Sequence, residues 1–374
     1  MSARQNNKNT ATEILAEFAA ELKWDKIPKK VIEDVKMRIL DMIGLCYASK
    51  PTNFYKTMLS MAKENGGNPH CTVIGENLKL PASLAVLVNG TAAHVLDFDD
   101  IHRKSIVNDS AYVVPVALSV AEKCRKSGRE LITAAIAGYE AVIRMGLAEF
   151  HLQGFCTTPV AGTLAAALIA GKLYNLNKNK IVNAMGISGS QAFGVLEFLK
   201  DRSGVERIYP GWTGHSGIIA AELASLGMTG PKTILERGFC LSRTHTGDHN
   251  FDTDILSKGL GKKWETLDTC FKSFPGEVTI AMKDGEKIFL KTSNNRTGAS
   301  SPMSSEEIIA KFRKNCRLII DENKIERIME AVLTIDEESN IKNFTQLLAK
   351  DEESYQYDDY SYDGIVNIDI EMPL

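Results

Sequence analysis

Apolar residues recur every three or four positions along most of this chain, so its dominant period is helical. Residues 10 to 22 carry that spacing behind a threonine cap, and PKKVIEDVKMRILDMIGLCYAS, residues 28–49, repeats it more strongly. NFYKTMLSMAKENGG, residues 53–67, ends on glycines as a helix should. HCTVIG, residues 70–75, reads as a brief strand. From Pro81 to about Met228 the chain is nearly all helix and rich in Ala and Gly with few charges, as in TPVAGTLAAALIAGKLYN, residues 158–175. Helices that are apolar around most of their surface belong inside a large bundle, and small residues let their axes approach closely.

The pattern changes after Pro275. EVTIAMKDGEKIFLKT, residues 277–292, alternates at period two around Asp284-Gly285, which predicts a hairpin. SNNRTGASSP then reads as a loop, and SSEEIIAKFRKNC, residues 304–316, as a helix opened by a capping box. Residues 322–336 and 340–350 are two further amphipathic helices. The tail from Asp351 is acidic and rich in tyrosine. Its first half has the composition of a disordered segment, and GIVNIDIEM is patterned as an edge strand.

Composition changes this picture little. The chain has 374 residues, 44% hydrophobic and 24% charged, with a formal charge of −3. That balance gives no electrostatic reason to expect nucleic acid or a membrane surface. The seven cysteines are scattered and form no CxxC pair, so reduced thiols in a cytoplasmic setting are expected. The polar N-terminus shows no apolar signal region, and the longest apolar stretches are too short to span a bilayer.

Three stretches bear candidate chemistry. NGTAAHVLDFDDIHRKS, residues 89–105, places His94, Asp97, Asp99, Asp100 and His102 directly after an apolar run. An unpartnered buried carboxylate costs on the order of several kcal/mol, so the cluster is either a solvated helix end or a site. A magnesium motif of the DDxxD kind is not met, because Arg103 stands at its fifth position. GISGSQAFGVLEFLKDRSGVERIYPGWTGHSG, residues 186–217, fits neither a dinucleotide fingerprint nor a phosphate loop. Its glycines suit close helix packing or tight turns. Arg207, beside Tyr209, either binds a carboxylate through its bidentate fork or stands as an ordinary surface arginine. RTHTGDHNFDTD, residues 243–254, holds His245 and His249, but Gly247 between them argues for a loop and against a shared metal.

Taken together these stretches resemble the 2-methylcitrate dehydratase family (MmgE/PrpD), which includes cis-aconitate decarboxylases and iminodisuccinate epimerases. The matching segments are NGTAAHVLDFDDIH, GISGSQAFGVLEFLKD, YPGWTGHSGIIAAELASLGMTGPKTILE and PMSSEEIIAKF, in the family's order. The resemblance implies a mainly α fold: a large helical domain over 1–274, completed by about 336–350, with a truncated α+β lid over 275–335. It also implies homodimers, a small di- or tricarboxylate as substrate, and lyase or isomerase chemistry with neither metal nor cofactor.

The residues this resemblance singles out at the catalytic positions are His102 as acid/base, Asp97 as its orienting partner and Asn108 where the family has a histidine. Lys104, Arg207, Tyr209 and Glu206 are singled out around the substrate carboxylates. Asp97 and His102 keep the family's pattern, whereas Ile101, Asn108, Glu206 and Tyr209 depart from it, and the lid's histidine has no counterpart. A glutamate where the family has a lysine repels an anionic substrate. Asparagine cannot cycle a proton near neutrality as histidine can. The alternative expectation is therefore a catalytically degenerate member that acts as a binding or scaffold protein.

Overall fold

The computed structural model describes residues 9–147, 154–201, 203–236, 238–246, 254–268, 270–271, 276–281, 287–292 and 303–350. The fold is mainly α. Helices α1 (Ala11–Glu21), α2 (Lys29–Ala48) and α3 (Asn53–Asn65) precede a short antiparallel pair, β1 (Cys71–Thr72) with β2 (Lys79–Leu80). The body follows as α4 (Ala82–His94), α5 (Ser110–Cys124), α6 (Gly128–Gly146), α7 (Thr157–Leu173), α8 (Lys178–Gly189), α9 (Phe198–Asp201) and α10 (Tyr209–Ser225). Two short helices, α11 (Leu241–Thr246) and α12 (Asp254–Ser257), lead to α13 (Ser305–Cys316), α14 (Glu322–Leu333) and α15 (Lys342–Leu347). Among the described residues no helix is long and apolar enough to cross a membrane.

Local chemistry sets the ends of these helices. Thr10 opens α1 and Ser304 opens α13, each in a reciprocal capping box with the glutamate three residues on. Gly66 closes α3 at φ +55°, a region that disfavours other residues. Two of the expected strands pair as β5 (Gly276–Ala281) and β6 (Lys287–Thr292), with Glu277 opposite Lys291. The turn between them lies outside the described residues, as does the acidic tail.

The body is one continuous apolar core built around α5, α6 and α7, whose inward residues are almost completely buried. Its helices approach closely where glycine allows. A Cβ on Gly90 would sit 2.8 Å from the Gly211 Cα, so α4 and α10 cross nearly backbone to backbone. Gly214 and Gly217 extend that contact to Val86 and Ala166. Within the stretch expected as a lid, α13 and α14 pack on α2: Phe312 lies against Gly44, and Ile325, Ile328 and Val332 join the core. Their apolar stripes face α2, so residues 305–335 are bound into the helical body, not held apart from it.

Candidate active site

The 95–109 segment joins α4 to α5 and carries four buried ionisable groups, Asp99, Asp100, His102 and Asp109. It leaves α4 at Val95, passes through Asp97 at φ +50°, and forms β3 (Asp100–Ile101) against β4 (Cys270–Phe271). It then bends back so that His102 and Val107 exchange backbone hydrogen bonds. Gly146, the last residue of α6, gives the loop its seat, since a Cβ there would lie 2.7 Å from Ser105 Cβ and from Val107.

Three polar assemblies meet here. His94, the last residue of α4, points Nδ1 at both carboxylate oxygens of Asp99, 3.0 Å from each. Both side chains are buried. A carboxylate facing a ring nitrogen needs a donor, so Nδ1 carries a hydrogen towards Asp99. Asp97 is exposed beside them, and donor atoms of His94, Asp97 and Asp99 all lie within 4.8 Å of one another. Two carboxylates and an imidazole so placed form a donor set that suits a divalent cation.

The second assembly is a buried ion network on Arg38 of α2. Its guanidinium contacts Asp100 at 2.8 Å, Asp34 at 2.7 Å and the Thr266 carbonyl at 2.6 Å, with Asp109 at 3.6 Å. Ser110 Oγ donates to Asp100 at 2.6 Å and contacts the Tyr139 hydroxyl at 2.7 Å. Burial alone would lower the Arg38 pKa, but Asp34, Asp100 and Asp109 outweigh it and hold the charge firmly. In the third assembly Lys311 of α13 reaches Asp41 at 2.8 Å and donates to the Phe98 carbonyl at 2.7 Å. Burial pushes the Asp41 carboxyl up to about 7, with Lys311 opposing that rise.

The expected site residues fall unevenly around these assemblies. His102 is buried, its Nδ1 2.7 Å from Ser105 Oγ, and burial lowers its pKa to about 4. At neutral pH it is an uncharged imidazole, not a group poised to titrate near 7. Asn108 fixes the loop, donating its side-chain amide to the Asp100 carbonyl at 3.2 Å and its backbone N–H to Thr158 at 3.1 Å. Arg207 sits at the same end of α4 as His94, donating to the Val95 carbonyl at 2.5 Å. Glu206 stands 3.7 Å from its guanidinium and accepts its backbone N–H.

Two of the expected residues lie apart from these assemblies. Lys104 is 75% exposed and lies 4.0 Å from Asp268. Its four-carbon stem projects from a surface turn towards water. Tyr209 is buried against Phe193 and Phe198 and donates to the Val195 carbonyl at 3.1 Å. That hydroxyl serves the 190–208 segment, on which Gly194 takes φ +96°. Of the second histidine cluster, His245 ends up against Phe155, and 247–253 lie outside the described residues.

Sequence reasoning missed the roles of Arg38, Asp41 and Lys311. The available signal was a pair of charges inside the apolar α2 run MRILDMIG, where every neighbour is buried. His94 was visible in the cluster but not singled out as the partner of Asp99.

A model of the MmgE/PrpD N-terminal domain matches residues 13–254. The cis-aconitate decarboxylase of Aspergillus terreus is 28% identical over 282 residues, which covers 71% of this chain and 57% of that protein. The human cis-aconitate decarboxylase is 29% identical over 283 residues, covering 72% and 57%. The chain thus spans little more than half the length of these relatives. The matched domain contains the whole 95–109 loop, α4, α10 and the His94–Asp99 pair, and by that match the chain belongs to the MmgE/PrpD family.

Proposed function

We propose that this chain acts on a small di- or tricarboxylate as a lyase or isomerase, by acid/base chemistry without a cofactor, in the manner of cis-aconitate decarboxylase or 2-methylcitrate dehydratase. The observation that carries the reading is the buried His94–Asp99 pair at the end of α4, with Asp97 exposed beside it. Dehydration or epimerisation begins by taking a carbon-bound proton next to a carboxylate. Decarboxylation leaves an electron pair on carbon that a positioned acid must protonate. Either needs a group holding or receiving a proton at a defined atom, and Nε2 of an Asp99-oriented His94 supplies one. Arg207, tied to the Val95 carbonyl at the same helix end, is the cation assigned to a substrate carboxylate. Asp97 orients polar groups, and His102 and Asn108 hold the loop. A homodimer is part of the same proposal.

The test is proton NMR in D₂O with cis-aconitate, 2-methylcitrate, citrate and related dicarboxylates, following loss of hydrogens next to a carboxylate and any new alkene. Exchange or turnover is expected, lost by a hundredfold or more in His94→Gln and unchanged by a chelator. Unchanged rates in His94→Gln remove the pair from the chemistry.

The ion pairs favour one second reading. Arg38 and Lys311 are each bound to buried carboxylates, and Glu206 stands against Arg207. A folded protein that exchanges no proton on any of these compounds is a binding or scaffold member of the family.

A further inference from the structure

α6 and α7 run antiparallel. Their ends at Gly146 and Thr158 hold the 95–109 loop, and Gly138 packs on Ile169 along their length. At their opposite ends, where α1 also terminates, lies a cavity of about 420 Å³. α6 has 19 residues, so at 1.5 Å per residue roughly 25 Å separates this cavity from the loop.

The cavity is basic. Lys23, Lys126, Arg129 and Lys172 line it against one carboxylate, Glu130, with Trp24 forming a wall. Four cations against one anion leave a local excess of three positive charges on a chain whose total is −3. These bases come from three separate stretches of sequence, so no single charged run explains them. Glu130 is already engaged: it caps Ser127 and accepts from Lys126 at 2.8 Å. Lys172 crosses the floor, donating to the Ala19 and Leu22 carbonyls at 2.6 and 2.9 Å. The Arg129 guanidinium lies 5.4 Å from the Trp24 ring centre and donates through Nε to the Asp336 carbonyl. Among the described residues, Lys23, Arg129 and Lys172 have no carboxylate within ion-pair distance.

We infer that this cavity is a second ligand site, for a small organic polyanion such as a tricarboxylate or a phosphorylated compound. Its volume lies in the range of small-molecule sites. Like charges gathered in a partly closed space raise the local potential that an anion relieves. Lys172 feels that strain: burial, and next Lys126, lower its pKa to about 8, and a bound anion would raise it. The lysines and arginine offer charge and a forked donor, and Trp24 offers an apolar wall for a carbon skeleton or ring.

Isothermal titration with citrate, ADP and inorganic pyrophosphate, each at two salt concentrations, tests the inference. At least one probe is expected to bind, more weakly at high salt. Arg129→Glu, at an exposed position, should weaken that binding tenfold or more while circular dichroism stays unchanged. Citrate alone marks a carboxylate site, and ADP or pyrophosphate a phosphate site. Binding should shift tryptophan emission, and Trp24→Phe should remove that change. No binding of any probe to folded protein overturns the inference. So does binding that Arg129→Glu leaves intact and Arg207→Ala abolishes, which would place the anion at the 95–109 loop. Neither result depends on turnover, so this site and the proposed activity stand or fall separately.

Discussion

His102 lies folded under its own loop, its ring nitrogen receiving the Ser105 amide at 3.2 Å and facing the Ser105 hydroxyl at 2.7 Å. Burial is the main cause that moves its pKa from 6.5 to about 4, and Asp268 and Glu265 only partly offset it. The unfolded chain therefore binds this proton more tightly than the folded one. The resulting stability is fully present above pH 6.5 and is lost as pH falls towards 4. At most it amounts to about 3 kcal/mol. His102→Asn cannot ionise, so its stability should fall less steeply than that of the wild type across this window. At neutral pH the variant should start about 1 kcal/mol lower, for the lost Ser105 contact. Urea midpoints measured from pH 7 to 4.5 check this, and parallel curves for the two proteins would show that His102 is not the group responsible. The same residue shows where sequence reading stops. A histidine in a cluster of aspartates reads as a titrating group, but its charge state is set by Ser105, Val107 and Gly146 closing over it, and no local spacing encodes that closure.

At the scale of elements, the site depends on how closely α4 and α10 cross. α4 ends at His94, and the turn before α10 carries Arg207, which is tied to the Val95 carbonyl. Gly90→Ala would place a methyl 2.8 Å from Gly211 Cα and 2.9 Å from its nitrogen. Both obstacles are backbone, so the helices must part. Alanine gains about 1 kcal/mol over glycine in a helix interior, and forced separation costs about 1–3 kcal/mol or more. The clash wins, and a fall of several degrees in Tm is expected, together with weaker carboxylate binding as Arg207 moves off the Val95 carbonyl. An unchanged Tm would mean that the crossing has slack. This contact was half legible: the glycines at 211, 214 and 217 announce close packing, but not the partner helix. The threonine cap at Thr10 and the capping box at Ser304 were legible because their partners lie three residues away. The Lys311–Asp41 pair, 270 positions apart, and Arg38–Asp100, 62 apart, were not. Such pairs are fixed by the tertiary fold, and only the oddity of charges within the apolar α2 hinted at them.

For the whole molecule, the remaining proposal is assembly. Phe54, Leu96, Val205 and Trp212 are all at least 38% exposed. Phe54 and Leu96 lie beside Arg207: its guanidinium is 5.4 Å from the Phe54 ring and Leu96 follows the carbonyl it holds, while Val205 stands two residues before it and Trp212 five after it in sequence. Gly204, next to Val205, rests on Phe54. Exposed apolar residues scattered singly need no explanation, whereas a contiguous group of them would suit a surface that a second copy covers. The resemblance that led to the family also implies pairing of two copies, and an isologous contact would repeat this group on both sides of a twofold axis. Light scattering should give a mass near twice 41.1 kDa. Trp212→Glu should shift that mass towards one chain, because a buried, unpaired carboxylate costs more than a small interface returns. A wild-type monomer at working concentrations refutes the dimer. A dimer indifferent to Trp212→Glu puts the interface elsewhere.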